Sequence, residues 1–440
     1  MLWFLYNVLF AVGYVLMLPH FLLRMWRRGG YRRGFLQRFG IYSEDVLRQL
    51  KTRNRIWIHA VSVGEIHVAL RFADELRTLD PETSFVVTTT TSTGHAVAEK
   101  KMREEDVLLY FPSDFPAIMN RVLNVLKPKA VILTESELWP NLIRLAKKRN
   151  IPVILINGRI SESSYKGYKL LKVFFSRIVR QIDLFLVQTA FEEECLTWLG
   201  VDKTRIKVLG TAKYDVVRID PAGGGKARQI LELAGIALDD LIVTGGSTWP
   251  GEERILLDVF KRLKPSFPRL RLVLVPRHAE RRAEVEAEIR RSGLNYARRS
   301  DLANAHLPGS SVDVLLVDST GELMWFYGCA SVVFVGKSLT SHGGQNIIEP
   351  AFLGKPIVIG PFAENFSAVV SDLLSARALI QIQSAAELED ALKSLLSDDN
   401  LRTEYGRRAA SAVQSRQGVV RESVKLIAEC IRRSSPRAGD

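Results

Sequence analysis

The sequence predicts an α/β protein of two doubly wound parallel sheets, and three observations carry that prediction. Short apolar runs rich in β-branched residues recur along the chain, as strands buried on both faces do. Stretches with helical apolar periodicity separate them, and this alternation produces parallel sheets. The pattern runs once, breaks at a Pro/Gly-rich stretch and restarts, in a chain whose 440 residues exceed one ordinary core.

Residues 1–23, MLWFLYNVLFAVGYVLMLPHFLL, carry no charge. They are long enough to cross a bilayer, or to lie in one leaflet if Pro19 breaks the helix. Arg24, Arg27, Arg28, Arg32, Arg33 and Arg38 follow, with Trp26 and Tyr31 among them. Arginines beside an apolar segment mark the cytoplasmic side and an anionic headgroup surface. A retained single anchor with a cytoplasmic body is expected, a buried soluble helix being the alternative. A cleaved signal is disfavoured, because the arginines follow the apolar region.

The first domain, 24–220, has strands at 56–60, 85–88, 130–133, 152–156, 184–187 and 206–209, and a helix over 66–76 after the Ser-Val-Gly-Glu turn. Residues 221–225, PAGGG, read as the linker. In the second domain, 221–440, strands fall at 241–244, 272–275, 314–317, 332–335 and 356–359, and the last stretch is helical and charged. Two such domains enclose a cleft, where ligands bind.

A content of 47% hydrophobic and 25% charged residues describes a folded globular protein. Cys195, Cys329 and Cys430 are scattered and the seven histidines show no HExxH spacing, so neither a disulfide framework nor a metal site is expected. The net charge of +13 suits nucleic acid, an anionic membrane or a phosphorylated substrate. With no RNP-like motif, zinc finger or basic low-complexity tail, nucleic acid is set aside. The absence of a P-loop, a GxGxxG fingerprint and a GxSxG elbow disfavours ATP hydrolysis, dinucleotide redox chemistry and elbow-type serine catalysis.

The polar candidates lie beyond the carboxyl ends of strands, where such sheets bind ligands. Glu65, at a helix start, is placed to act as general base toward a sugar hydroxyl or to serve as a cap. Glu135 and Glu137 follow a strand and, by alternation, point the same way. One of them is suited to stabilising positive charge, and both also read as solvated caps. Lys213 is suited to neutralising a leaving phosphate, or is a plain surface lysine. Arg277 and His278 resemble a phosphate contact or a cap with a core histidine. Residues 319–322 open a helix with free N–H groups. Asn346 and Glu349, three apart after Gly343-Gly344, suit sugar hydroxyls or a capping pair. The hydroxyl-rich turn at 88–94 lines an acceptor site or satisfies backbone groups.

As an ordered set, Arg38-Phe39-Gly40, 59–65 (HAVSVGE), 88–94, 135–142 (ESELWPNL), 210–215 (GTAKYD), 246–248 (GST), 276–278 (PRH), 320–323 (TGEL) and 343–350 closely resemble the Kdo transferases. These move 3-deoxy-D-manno-octulosonic acid (Kdo) from CMP-Kdo to the lipid A precursor of Gram-negative bacteria, at the cytoplasmic face of the inner membrane. The resemblance covers almost the whole chain. It implies a two-domain GT-B fold and an inverting, metal-independent transfer with no cofactor. It also implies Glu65 as catalytic base, Glu135 and Lys213 as transition-state stabilisers, and Pro276, Arg277, Thr320, Gly321, Glu322, Asn346, Ile347, Ile348 and Glu349 as CMP-binding positions. The competing readings are a transferase using a UDP-sugar on another lipid and a non-catalytic binder of anionic membranes.

Overall fold

A computed structural model describes residues 2–28, 34–217, 220, 222–237, 239–302 and 311–434, the side chains of 2, 20–28 and 162 excepted. The chain forms two compact units, Met1–Val216 with Gly418–Asp440, and Val217–Gln417. Of the arginines expected to flank an anchor, all but Arg38 lie outside the described side chains.

The first unit holds β1 (Ile56–His59), β2 (Phe85–Thr89), β3 (Val107–Tyr110), β4 (Ala130–Thr134), β5 (Val153–Gly158), β6 (Leu184–Val187) and β7 (Ile206–Val208). They form one parallel sheet in the order β3-β2-β1-β4-β5-β6-β7. Ile56 and Ile58 of β1 join a core cluster with Phe72 on one face, while Trp57 joins Leu109 and Met119 on the other. Apolar layers on both faces make the run read as continuous rather than alternating. The strand order reverses direction between β1 and β4, which opens a crevice at their carboxyl ends.

The second unit holds β8 (Leu241–Thr248), β9 (Leu270–Pro276), β10 (Tyr296–Arg298), β11 (Val314–Leu316), β12 (Val332–Val335), β13 (Ile357–Ile359) and β14 (Leu379–Gln381). Its order is β10-β11-β9-β8-β12-β13-β14, again parallel. The reversal falls between β8 and β12.

Several expectations are corrected. The edge strands β3, β10 and β14 were not read from the sequence. β10 and β14 are three residues long and carry polar ends. The supposed linker is a helix from Gly223 to Leu233. A Cβ at Gly223 would sit 2.1 Å from the Trp325 ring, so that glycine allows close packing. The second domain does not run to the C-terminus. The helix Val419–Ser434 returns to the first unit, where Val420, Val424 and Ile427 join the cluster containing Phe72. Asp215 accepts hydrogen bonds from Gly418 N and Val420 N, both at 2.7 Å, and so caps that helix from a distance in sequence.

The N-terminal stretch is a helix, Leu2–Arg28, with Pro19 inside it. Among the described residues, no helix is long and apolar enough to cross a membrane. One side of this helix is committed to the first unit. Tyr6 OH donates to Asp114 at 3.0 Å, Asn141 Nδ2 donates to Asn7 at 2.7 Å, and the Phe10 and Phe115 rings meet edge to face at 5.0 Å. Burial pushes the Asp114 carboxyl up to about 7, against the pull of the Asn141 and Leu142 N–H groups that it accepts.

Asp215→Ala removes the remote cap and is expected to cost about 1–2 kcal/mol. Hydrogen exchange should rise across the amides of Val419–Ser434 while β1 stays protected. Unchanged exchange in that helix contradicts the assignment.

Candidate functional site

After β1 the chain turns into the helix Val63–Leu79, with Ser62 as N-cap and Glu65 as the reciprocal partner in a capping box. The Glu65 carboxylate accepts from Val61 N at 2.9 Å and Ser62 N at 3.3 Å. The Thr134 hydroxyl, from the end of β4, lies 3.1 Å from Glu65 Oε2 and 2.9 Å from His59 O. The capping role is therefore realised, and it fixes the carboxylate at the reversal of the sheet. Carboxylate oxygens retain further lone pairs for a proton.

Glu135 follows β4 with φ 53°, a left-handed conformation, and its N–H donates to Ile156 O at 3.0 Å. Its Oε1 accepts from Asn157 Nδ2 at 3.2 Å and lies 3.8 Å from Lys213 Nζ. Burial pushes the Glu135 carboxyl up; Lys213 pulls it down, Glu65 pushes it up, and Arg159 and Asn157 pull it down. The structure thus gathers Glu65, Glu135 and Lys213. Glu137 goes elsewhere, accepting from Trp139 Nε1 at 2.9 Å and facing His59 Nε2 at 3.8 Å. The left-handed residue ends the strand, so the alternation expected to point both glutamates one way does not hold.

Lys213 sits in a short 3₁₀ turn, Ala212–Asp215, with Thr211 as its cap. Two residues that sequence reasoning missed complete this region. Thr134 shares its hydroxyl with Glu65, and Asn157 bonds both Glu135 and Ala212 N. An Asn-Gly pair closing a strand, 157–158, was the available signal for a special backbone. The hydroxyl-rich turn satisfies backbone and ring groups: Thr91 caps the helix Ser92–Lys101, and Thr88 accepts from Trp57 Nε1 at 2.8 Å.

In the second unit the loops after β8 and β12 are tied together by Glu252, which is fully buried. Its carboxylate accepts from Trp249 N, Lys337 N, Ser338 N and Leu339 N at 2.8–3.0 Å. Glu252 is not among the residues that the sequence singles out. Pro276 ends β9, and Arg277 N donates to Thr248 O at 3.1 Å. Arg277 and His278 are exposed, so His278 is no core histidine. The helix expected to open at 319–322 begins later, at Leu323. Gly321 has φ 89°, and Glu322 accepts from Ser319 Oγ and, at 3.2 Å, from Arg299.

Asn346 Nδ2 donates to Glu349 at 2.9 Å and its Oδ1 accepts from Ile348 N at 3.1 Å, ahead of the helix Ile348–Phe352. The helix starts two residues beyond Asn346, and Ile347 and Ile348 are buried. Burial pushes the Glu349 carboxyl up, while Asn346 and Arg277 pull it down, so Arg277 acts on this segment electrostatically. The hydroxyl of Tyr327 is buried beside them with no hydrogen-bond partner among the described residues. A Cβ at Gly246 would stand 2.1 Å from that hydroxyl, so the middle of the Gly-Gly-Ser-Thr stretch must be glycine. Among the described residues no cluster of three His, Cys, Asp or Glu is placed to hold a metal ion.

Residues 33–216 match the sequence family described as 3-deoxy-D-manno-octulosonic-acid transferase (kdotransferase), and residues 254–412 match glycosyl transferases group 1. A 3-deoxy-D-manno-octulosonic acid transferase of Haemophilus influenzae is 31% identical over 92% of this chain and 93% of its own length. The chain belongs to the Kdo transferase family. A bifunctional glycosyltransferase/methyltransferase of Fusobacterium nucleatum is likewise 31% identical over 81% of this chain, which spans 55% of that protein. A solved UDP-GlcNAc 2-epimerase from Neisseria meningitidis aligns over 86% of the chain with a TM-score of 0.59 at 14% identity, a likeness of fold alone. This Kdo transferase is therefore a glycosyltransferase with a GT-B-like fold of two parallel Rossmann-like sheets.

Because the Glu135 carboxyl lies above its ordinary value in the fold, its contribution to stability is greatest below the unfolded-state pKa and is lost as pH rises through the folded-state value. Glu135→Gln removes that loss. Its melting temperature relative to the unsubstituted chain should climb as pH rises above the ordinary glutamate range. A difference that stays flat over that rise contradicts the desolvated carboxylate.

Proposed function

We propose that the chain transfers Kdo from CMP-Kdo to a phosphorylated glycolipid, the lipid A precursor, with inversion and without a metal. The observation that carries this reading is the meeting of Glu65, Glu135 and Lys213 at the reversal of the first sheet, in a chain of this family. As the acceptor hydroxyl attacks the anomeric carbon, Glu65 takes its proton. The bond from that carbon to the phosphate oxygen breaks, and CMP leaves with the electron pair. The ionised Glu135 carboxylate stabilises positive charge growing on the sugar, and Lys213 offsets the negative charge growing on the phosphate.

The nucleotide falls to the second unit. Arg277 is exposed after β9 and suits the phosphate. Asn346 and Glu349 present a hydrogen-bonding pair suited to ribose hydroxyls. Pro276 and Thr320 to Glu322 shape the neighbouring strand ends, and the buried Ile347 and Ile348 hold the 346–349 segment in place.

The first helix supports a location at a membrane surface. With one side bonded to the first unit, Phe4, Leu5, Leu9, Val12, Leu16 and Met17 remain exposed. An apolar helical face on a chain of net charge +13 suits the headgroup region of an anionic membrane. The helix lies along the cytoplasmic face of the bacterial inner membrane, where the acceptor is presented.

Transfer from CMP-Kdo generated in situ to a tetraacylated lipid A precursor tests the reaction. Glu65→Gln should lower kcat about 100-fold or more, and a chelator should change nothing. Product formed equally well by Glu65→Gln removes the base assignment; transfer from UDP-sugars alone overturns the donor. For localisation, Leu9→Asp with Leu16→Asp should weaken flotation with anionic vesicles at least about tenfold. Undiminished flotation contradicts the interfacial helix.

A further inference from the structure

We propose that Asn157 is a positioning residue for the transfer, its one side-chain amide fixing Glu135 against the turn that carries Lys213. Asn157 lies at the end of β5, 3% exposed, with φ 51°. Its Oδ1 accepts from Ala212 N at 2.9 Å and Thr211 Oγ1 at 3.3 Å. A backbone N–H can only donate, so the amide has one orientation, and its NH₂ group faces Glu135 Oε1 at 3.2 Å. Its own carbonyl accepts from Gln188 Nε2 at 2.9 Å, which braces the residue from the end of β6. The ends of β4, β6 and β7 thus converge on one residue, two of them through its side chain.

The consequence is chemical as well as geometric. An NH₂ donor stabilises the ionised carboxylate and cannot serve as an acceptor for a protonated one. Lys213 at 3.8 Å and Arg159 act on Glu135 in the same direction, while Glu65 and burial oppose them. Asn157 therefore helps keep Glu135 ionised while holding the Thr211–Ala212 backbone, and with it Lys213, at a set position. The alternative is that asparagine stands here only because it tolerates a left-handed backbone.

Asn157→Asp separates the two. Aspartate also tolerates that backbone and keeps an oxygen for Ala212 N and Thr211, but it places a second carboxylate against Glu135. The pair then shares a proton. The expected result is a melting temperature near that of the unsubstituted chain and KM values within about twofold. The acid limb of the kcat profile should move up by about one pH unit or more, with kcat down at neutral pH. An unshifted acid limb with full kcat overturns the proposal.

The inference rests on the reading of Glu135 as a transition-state stabiliser, so Glu135→Gln is measured alongside. Full activity in Glu135→Gln sinks that reading. An inactive Glu135→Gln beside an unshifted Asn157→Asp sinks only the role of Asn157. Should Asn157→Asp not fold, the unsubstituted chain supplies the test. The ¹⁵N-labelled side-chain amide of Asn157 should titrate with Glu135 and lose that titration in Glu135→Gln. A resonance flat with pH overturns the proposal.

Discussion

A carboxylate taken out of water at the end of a buried parallel strand must be given donors, and the first unit depends on how Glu135 receives them. The chain leaves β4 in a left-handed turn, which brings the side chain back toward β5 and the 3₁₀ turn rather than onward along the strand. There it meets an amide, an ammonium group at 3.8 Å and the field of Glu65. Glu65 in turn is fixed by the two backbone N–H groups of its own capping box. Each carboxylate is thus held by donors fixed in the fold rather than left to find its place by rotamer.

The second unit solves the same problem with a different outcome. Glu252 is as buried as a carboxylate can be, yet four backbone N–H groups converge on it, and those donors come from the loops after β8 and β12. It behaves as an internal anion that gathers loops around the reversal of the second sheet. Glu349 is the contrasting case. Burial raises its carboxyl, and Asn346 and Arg277 only partly offset that. Four N–H donors saturate the first glutamate, whereas the second accepts from one amide.

What was legible in the sequence follows from where each residue finds its partners. β6 and β12 lie in the middle of apolar layers and announced themselves as unbroken runs, whereas three-residue edge strands such as β10 carry polar ends that hide them. The Ser-x-x-Glu spacing showed both of Glu65's options, since a capping box is local. Asn157, Thr134 and Glu252 bond across tens of residues, and their roles cannot be seen until strands pair. Long-range contact also explains the misreading of 221–225, where Trp325 makes glycine necessary within a helix. The direction of Glu137 failed for a subtler reason. The strand runs to Thr134, but the left-handed Glu135 then breaks the alternation before Glu137.

With Glu65 as base and Glu135 as stabiliser, as proposed, the transfer is a single displacement at the anomeric carbon. The measurement that tests this most directly is the anomeric configuration of the transferred sugar, read by NMR on product made from donor of known configuration. Inversion in every product molecule is the result the arrangement of Glu65 and Glu135 predicts. Retention would require two successive displacements and would contradict it.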